Sequence, residues 1–461
     1  MKRIFRPLSY LVLASLVLTM GAGCNSSSTT TAPPEVDLTI WRVFDDADSF
    51  ESIITAYETM HPNVSIEYKK LRYDEYPTEL VRAFAAGQGP DIFSVHNTWI
   101  GEYMDLMQPM PSSVTVTNQE TQGTVSRKVV YVQKQNPTMS VRELESKYVE
   151  QVASDVVRDY QATDKSDVES RIFGLPLSVD SMVLFYNKDL LDAAGIATPP
   201  ATWTEFQADV IKLTKYDSKG EVTQSGAAMG LGDNVERSAD ILSLLMMQNG
   251  TAMTDERGRV AFNVVPEGLA DDVNPGLDAV RFYTDFANPT KEVYTWNGSY
   301  TNSFEAFTTG QTAMMLGYSY YMPLIRTAAP KLNWSMSSVP QVEGRVVNYA
   351  NYWVESVAKS TKNANYAWDF LLFAASEEQV QSYLASANKP TALRALIGNE
   401  LEDAEMGIFA EQTLTAKSWY KGNDINATEE ALRALITQVL DGTVEPEKAI
   451  TSAALKVNQT F

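Results

Sequence analysis

Residues 36–95 read VDLTIWRVFDDADSFESIITAYETMHPNVSIEYKKLRYDEYPTELVRAFAAGQGPDIFSV, and the spacing of apolar residues along them decides the fold. Val36–Val43 is β-branched and apolar enough to be a buried strand. Asp48-Ser49-Phe50-Glu51 has the pattern of a helix capping box, and Phe50, Ile53, Ile54 and Tyr57 follow at helical spacing. His61-Pro62-Asn63 ends that helix, residues 64–69 alternate as a second strand, and residues 76–86 are helical until Gly87-Gln88-Gly89-Pro90. Residues 91–95 give a third short strand. Strand, helix, strand, helix, strand on short connections predicts a parallel sheet with right-handed crossovers.

Beyond this unit, residues 107–170 fit the pattern poorly. They carry Pro109, Pro111, a Thr/Ser-rich run and a charged helical piece over 141–160, and read as an insertion on the first domain. Regular α/β organisation resumes at 172–185. Thr202-Trp203-Thr204-Glu205 is a second capping box, with Trp203, Phe206, Val210 and Leu213 on one helix face. Further helices are predicted over 239–248, 275–286 and 299–310, a strand over 312–316, and strand-like segments over 332–339 and 347–358. The chain closes with helices over 366–375, 377–385, 429–440 (stopped by Gly442) and 446–457. There is no internal repeat.

The other end of the chain carries an address. Lys2, Arg3 and Arg6 precede an apolar run over 8–20, too short to span a bilayer comfortably, and then Gly21-Ala22-Gly23 and Cys24. Cys24 is the one cysteine of 461 residues. The stretch resembles a bacterial lipoprotein signal, although Gly21 stands where such signals usually carry Leu. An ordinary secretory signal would leave Cys24 incidental; acylation gives it a role. Residues 24–35 are rich in Ser, Thr and Pro and read as a flexible tether.

Composition narrows the function. The chain has 37 Lys and Arg against 58 Asp and Glu, a formal net charge of −21. Removing residues 1–23 takes three basic residues and no acidic ones, leaving 34 − 58 = −24. A chain so acidic is repelled by nucleic acid and by anionic headgroups, so neither is an expected partner. With one cysteine no internal disulfide forms, and with two histidines, His61 and His96, a zinc site is not expected. No cofactor is expected. At 44% hydrophobic the mature chain can bury a large core, best divided over two domains. No second apolar stretch approaches a membrane span. With 22 Tyr and 8 Trp, the balance points to a neutral or polar ligand. Gly-rich phosphate loops, zinc-protease helices, nucleophile elbows and cysteine nucleophiles are all missing, which shifts the balance from catalysis toward binding.

Several stretches together resemble the extracellular solute-binding proteins of ABC importers, in the sugar-binding family related to maltose-binding protein. They are Leu38-Thr39-Ile40-Trp41, then AAGQGPDIF over 85–93, and Gly174-Leu175-Pro176-Leu177. Tyr186-Asn187-Lys188-Asp189-Leu190 follows, with Gly195, Pro199-Pro200 and Thr202-Trp203 behind it, and finally FEAFTTGQTAMM over 304–315. Each is weak alone; in this order, behind a lipoprotein-like signal, they are strong. The resemblance implies an α/β, two-lobed periplasmic-binding-protein-like fold with a hinge and an interlobe ligand cleft. Lobe 1 would comprise 36–177 and 341–390 (with the insertion 107–170), and lobe 2 would comprise 178–340 and 391–461. It further implies a monomer anchored through Cys24 that hands a carbohydrate to membrane permease subunits and performs no catalysis itself.

A sugar site needs aromatic plates for the C–H faces and polar groups for the hydroxyls, on loops at the carboxyl ends of parallel strands. By position in the family pattern, Asp45 and Asp46 follow the first strand, where ligand contacts fall; acids favoured at a helix N-terminus are the plainer account. His96, Asn97 and Trp99 follow the third strand. Asp180 stands at the first lobe crossover, as sugar ligand or hinge salt bridge. Tyr318, Tyr320 and Tyr321 follow the strand at 312–316. Tyr352 and Trp353 lie near the next crossover, and Trp419 and Tyr420 precede the last helices. Two other readings stay open. Tyr320-Tyr321 resemble the paired tyrosines of ferric-ion-binding relatives, with His96 and Asp180 completing the set. Alternatively, a secreted glycan-active enzyme would use a carboxylate pair, which 58 acidic residues always offer.

Overall fold

Along Val36–Val43 the residues Val36, Leu38, Ile40, Arg42 and Val43 are buried, so this strand forms the middle of a sheet. In the computed structural model, which describes residues 28–29, 31–124, 126–163, 165–270 and 273–461, it pairs in parallel with Val64–Leu71 on one side and Ile92–His96 on the other. The helices Asp48–Met60 and Tyr76–Ala85 make the crossovers. The predicted parallel unit is therefore present. A late strand, Trp353–Val357, adds antiparallel to Ile92–His96, giving four strands from distant parts of the chain.

The helix Asp48–Met60 starts differently from expectation. Ala47 is its N-cap and makes no side-chain cap; Ser49 N–H donates to the Asp46 carbonyl at 3.1 Å. Asp48 and Glu51 both fall inside the first turn, where they face the positive end of the helix without boxing it. Thr202 and Glu205, by contrast, do form the reciprocal box that heads Trp203–Leu213, and Trp203, Phe206, Val210 and Leu213 are all buried.

The second lobe is a five-stranded mixed sheet in the order Lys215–Tyr216, Val222–Ala227, Thr312–Gly317, Val183–Asn187, Trp334–Ser338. Thr312–Gly317 is buried along its whole length. Between the lobes, Asp180–Ser181, Asn348–Asn351 and Ala416–Lys417 make a small three-stranded junction. Gly174 lies where the chain approaches this junction. A Cβ there would sit 2.7 Å from the Glu355 carbonyl and collide with Val354, so only glycine lets the two segments touch.

Residues 107–170 depart most from expectation. The Thr/Ser-rich run is a long hairpin, Ser113–Gln122 with Lys128–Pro137, whose buried residues Val114, Val116, Val130 and Val132 share one side, Val114 opposite Asn136 and Val132 opposite Asn118. The helical piece expected over 141–160 is two short helices, Val141–Lys147 and Glu150–Val156, broken at Tyr148-Val149, and its last four residues are the strand Val157–Tyr160. Tyr148 and Val149 are extended and fully buried, so side-chain burial wins over helix continuation there. Other helix bounds shift with their caps. Asn302 starts Ser303–Thr308, and Asp424 starts Ile425–Asp441, which Gly442 ends at φ 62°. Large apolar side chains fill both lobes, Trp296 and Trp368 among the fully buried, each contributing roughly 1.5–3 kcal/mol. No helix among the described residues is long and apolar enough to cross a membrane. Cys24 and the segment 1–23 lie outside the described residues.

Candidate functional site

The carboxyl ends of the first-lobe strands open onto a cavity of about 300 Å³ whose walls come from both lobes. Phe44 follows Val36–Val43, Tyr73 follows Val64–Leu71, and His96, Thr98 and Trp99 follow or end Ile92–His96; Tyr352 and Trp353 enter on the antiparallel strand. Arg237, Tyr320 and Glu429 face them from the second lobe. Ser178, Asp180, Asn351 and Lys389 line the floor near the junction. This is where an open α/β sheet presents ligand groups.

The first-lobe wall is aromatic. Phe44 stacks on Tyr73 (centroids 5.6 Å apart) and Tyr73 on Trp99 (5.9 Å), while Trp353 meets Trp99 edge-on at 5.2 Å and His96 at 5.4 Å. Each ring is thus held by two or more others. Phe44 is 51% exposed and Tyr73 48%, which is unusual for side chains of this size and leaves faces open to the cavity. Phe44 has φ 71°, a left-handed conformation that β-carbon-bearing residues avoid.

Under this wall runs a charged network. Arg42 contacts Glu355 at 2.9 Å and Asp45 at 3.1 Å, and Lys389 reaches Asp45 at 2.5 Å; the Tyr383 hydroxyl donates to Asp45 at 2.8 Å. Burial pushes the Asp45 carboxyl up, but Arg42 and Lys389 outweigh it and hold it below the usual carboxylate range. The Nη1 of Arg42 is buried with no hydrogen-bond partner among the described residues, and Arg42 belongs to the cavity wall. His96 is fixed by Thr98 (Nδ1 to Oγ1, 2.8 Å) and Asn351 (Nε2 to Oδ1, 3.1 Å), and burial lowers its pKa to about 4, so it is neutral at pH 7. Asp180 accepts from Ser181 N–H at 2.8 Å and from Ser319 N–H and Oγ at 2.9 and 2.7 Å. Burial nonetheless raises its pKa to about 7.

The second-lobe wall is mostly ionic. Arg237 donates to Asp240 at 2.8 and 2.6 Å and lies 3.6 Å from Glu429, which Arg433 holds at 3.2 Å. Tyr320 is the exposed plate here, 40% accessible and backed by Tyr321 at 4.4 Å and Tyr318 at 6.1 Å. Gly317 makes the backing possible, since a Cβ would lie 2.6 Å from the Tyr321 ring. A second hollow, of about 340 Å³, shares Arg237, Tyr320 and Glu429 with the first and continues along the second lobe past Tyr321.

The cavity brings together six of the residues expected at the site: His96, Trp99, Asp180, Tyr320, Tyr352 and Trp353. Asp45 lies behind Arg42 in the charged network. Asp46 is on the outer surface, paired with Lys70 at 2.8 Å. Asn97 is buried against Asp155, and the Tyr352 hydroxyl also donates to Asp155, at 2.6 Å. Tyr318 is buried with its hydroxyl on Asp240 (2.6 Å), and Tyr321 donates to Glu236. Trp419 packs on Phe262 and Tyr420 bonds Thr460 at 2.9 Å, both away from the cavity lining. Sequence reasoning did not reach Arg42, Phe44, Tyr73, Arg237, Lys389 or Glu429. For Phe44 and Tyr73 a signal existed, since both follow a predicted strand at its carboxyl end. For the ferric set, His96, Asp180 and Tyr321 all have protein partners, and no group of three His, Cys, Asp or Glu suited to a metal ion occurs among the described residues.

A family model of bacterial extracellular solute-binding proteins matches residues 52–396. The chain is 23% identical over 336 residues to a putative binding protein of Brucella abortus, covering 70% of this chain and 67% of that protein. It is 20% identical over 458 residues to the galactooligosaccharide-binding protein of Bacillus subtilis, covering 96% and 94%. Among solved structures, a cyclo/maltodextrin-binding protein complexed with maltotetraose superposes with a TM-score of 0.68 at 16% identity, over 94% of this chain and 98% of that one. At that identity the likeness shows the two-lobed fold.

Proposed function

The chain belongs to the bacterial extracellular solute-binding protein family, and from that premise we propose that it is the lipid-anchored, extracytoplasmic binding subunit of an ABC importer that captures an oligosaccharide between its lobes. The observation that carries the reading is the pair of opposed walls: open aromatic faces at Phe44 and Tyr73, backed by Trp353 and the buried Trp99, on one side, and Tyr320 beside an Arg237–Glu429 ion pair on the other. Aromatic faces suit the C–H side of a pyranose, and charged groups held by their own partners suit its hydroxyls.

The continuation of the cavity past Tyr320 favours more than one sugar unit. Bound ligand would bridge walls that belong to different lobes and so stabilise the closed form, which the permease subunits would recognise. Cys24 would carry the lipid. The cavity's own carboxylates argue for binding without turnover. Asp180 accepts from three donors and Glu429 lies against two guanidinium groups, so each is tied into the wall as a hydrogen-bonding group.

Isothermal titration against a panel of malto-, galacto- and manno-oligosaccharides tests the ligand class. Micromolar or tighter binding to one series is the expected result, with no reducing ends released on prolonged incubation. No heat with any member would overturn the carbohydrate reading, and released product would overturn the absence of turnover.

A further inference from the structure

We propose that the hairpin Ser113–Gln122/Lys128–Pro137 is the face that the anchored protein turns toward an anionic bilayer, held there by the tether pairing with its edge. The inference rests on the lipid-anchor reading of Cys24 and extends it to orientation.

Two separate observations carry it. The first is backbone pairing. Ser28–Thr29, from the segment that follows Cys24, adds antiparallel to Lys128–Pro137, with Ser28 opposite Val132 and Thr29 opposite Tyr131. An added strand satisfies edge groups that a ten-residue edge would otherwise present to solvent. It also shortens the leash. Twelve Cα-to-Cα steps lead from Cys24 to Val36, a reach of at most about 40 Å, but only four lead from Cys24 to Ser28, a reach of about 14 Å. A lipid on Cys24 therefore brings the hairpin close to the membrane rather than leaving the lobes free to tumble.

The second is charge. Residues 113–137 hold Arg127, Lys128 and Lys134 against one acid, Glu120, a net +2 in a chain whose total is −21. Lys134 lies 2.6 Å from Glu120, whereas Arg127 and Lys128 form no ion pair among the described residues and sit exposed at the tip. Anionic headgroups repel the chain as a whole and attract this one projection, so the two effects select the same orientation. The hairpin's other side packs on the first lobe, where the Tyr366 hydroxyl accepts from Thr117 N–H at 3.2 Å, and none of its residues lines the cleft. The foot is thus fixed to the first lobe and clear of the ligand.

The test uses the chain 24–461, coupled through the Cys24 thiol to a maleimide lipid in vesicles of phosphatidylcholine alone or mixed with phosphatidylglycerol. Hydrogen exchange is followed by mass spectrometry. In solution, Ser28→Pro with Thr29→Pro is expected to speed exchange at 130–133 by about tenfold, the loss of roughly one net hydrogen bond, with both lobes unchanged. On vesicles, amides at 119–128 slow several-fold with phosphatidylglycerol and not without it, and the slowing disappears in about 1 M salt, where screening acts within about 3 Å. Arg127→Glu with Lys128→Glu abolishes it and leaves exchange in the lobes as in the wild type. Equal tip exchange on both vesicle types would overturn the proposal, as would unchanged exchange at 130–133 in the proline variant. The thioether link supplies the anchor artificially, so these outcomes do not depend on native acylation. The mass of the mature N-terminus purified from membranes tests that separately.

Discussion

The two walls of the cleft solve different problems. On the first lobe, Phe44, Tyr73, Trp99, Trp353 and His96 brace one another through ring contacts between 5.2 and 6.3 Å. On the second lobe, a single exposed ring, Tyr320, stands beside Arg237, Glu429, Asp240 and Arg433, whose charges are paired with each other. A braced aromatic wall offers fixed apolar area and tolerates many sugars. A wall of paired charges offers directional hydrogen bonds and discriminates among them. Affinity should therefore reside mainly in the first wall and selectivity in the second.

The largest effect tests that division directly. Trp353→Ala removes the ring common to most of the first wall's contacts and is expected to weaken the tightest oligosaccharide by about 100-fold, ~2.7 kcal/mol, in titration calorimetry. Loss across the whole oligosaccharide panel by a similar factor fits the division; loss for one sugar alone breaks it.

The next effect separates two buried titrations. Asp180, with its pKa raised to about 7, holds a proton in the folded state that the unfolded chain releases near 3.9. Its contribution to stability is present at low pH and is lost as pH rises through 7. His96, lowered to about 4, works in the opposite sense: its contribution is present above 6.5 and is lost as pH falls through 4. Relative to wild type, Asp180→Asn should gain stability as pH rises from 4 to 7, and His96→Gln should lose it from 4 to 6.5. Each trend amounts to about 2 kcal/mol after allowance for partial solvation and is read from urea unfolding midpoints. Parallel trends in the two variants would contradict these assignments.

A smaller effect belongs to the second wall. Arg237→Met leaves Asp240 without its guanidinium and Glu429 with Arg433 alone, and should weaken binding by about tenfold, ~1.4 kcal/mol, with unequal losses among oligosaccharides that differ in hydroxyl configuration. Smallest of all, Asp46→Ala breaks only the exposed pair with Lys70. It should change neither stability nor affinity by more than about 0.5 kcal/mol.

The same contrast explains what could be read from the chain alone. Val36–Val43, the helices after it and the Thr202–Glu205 box declare themselves because periodicity and caps are local signals. The hairpin over 113–137 stayed hidden because only alternate residues are buried and the rest are Thr, Gln and Asn, which read as loop. In the cleft, His96, Trp99 and Trp353 were legible from their places beside strand ends. Arg42 was not, because its partner Glu355 lies more than 300 residues away and nothing local marks the pair. Asp45 shows the opposite failure. Its position suggested ligand contact, yet Arg42, Lys389 and Tyr383 enclose it, and only their convergence in space reveals that.

Phe44 carries a consequence for anyone trying to improve this protein. Its left-handed backbone costs about 1–2 kcal/mol that a glycine would recover. A heat-tolerance screen run without nutrient would therefore enrich Phe44→Gly and discard the outermost plate of the cleft, yielding hardier molecules that catch less. Only a selection that scores capture alongside survival would keep the residue.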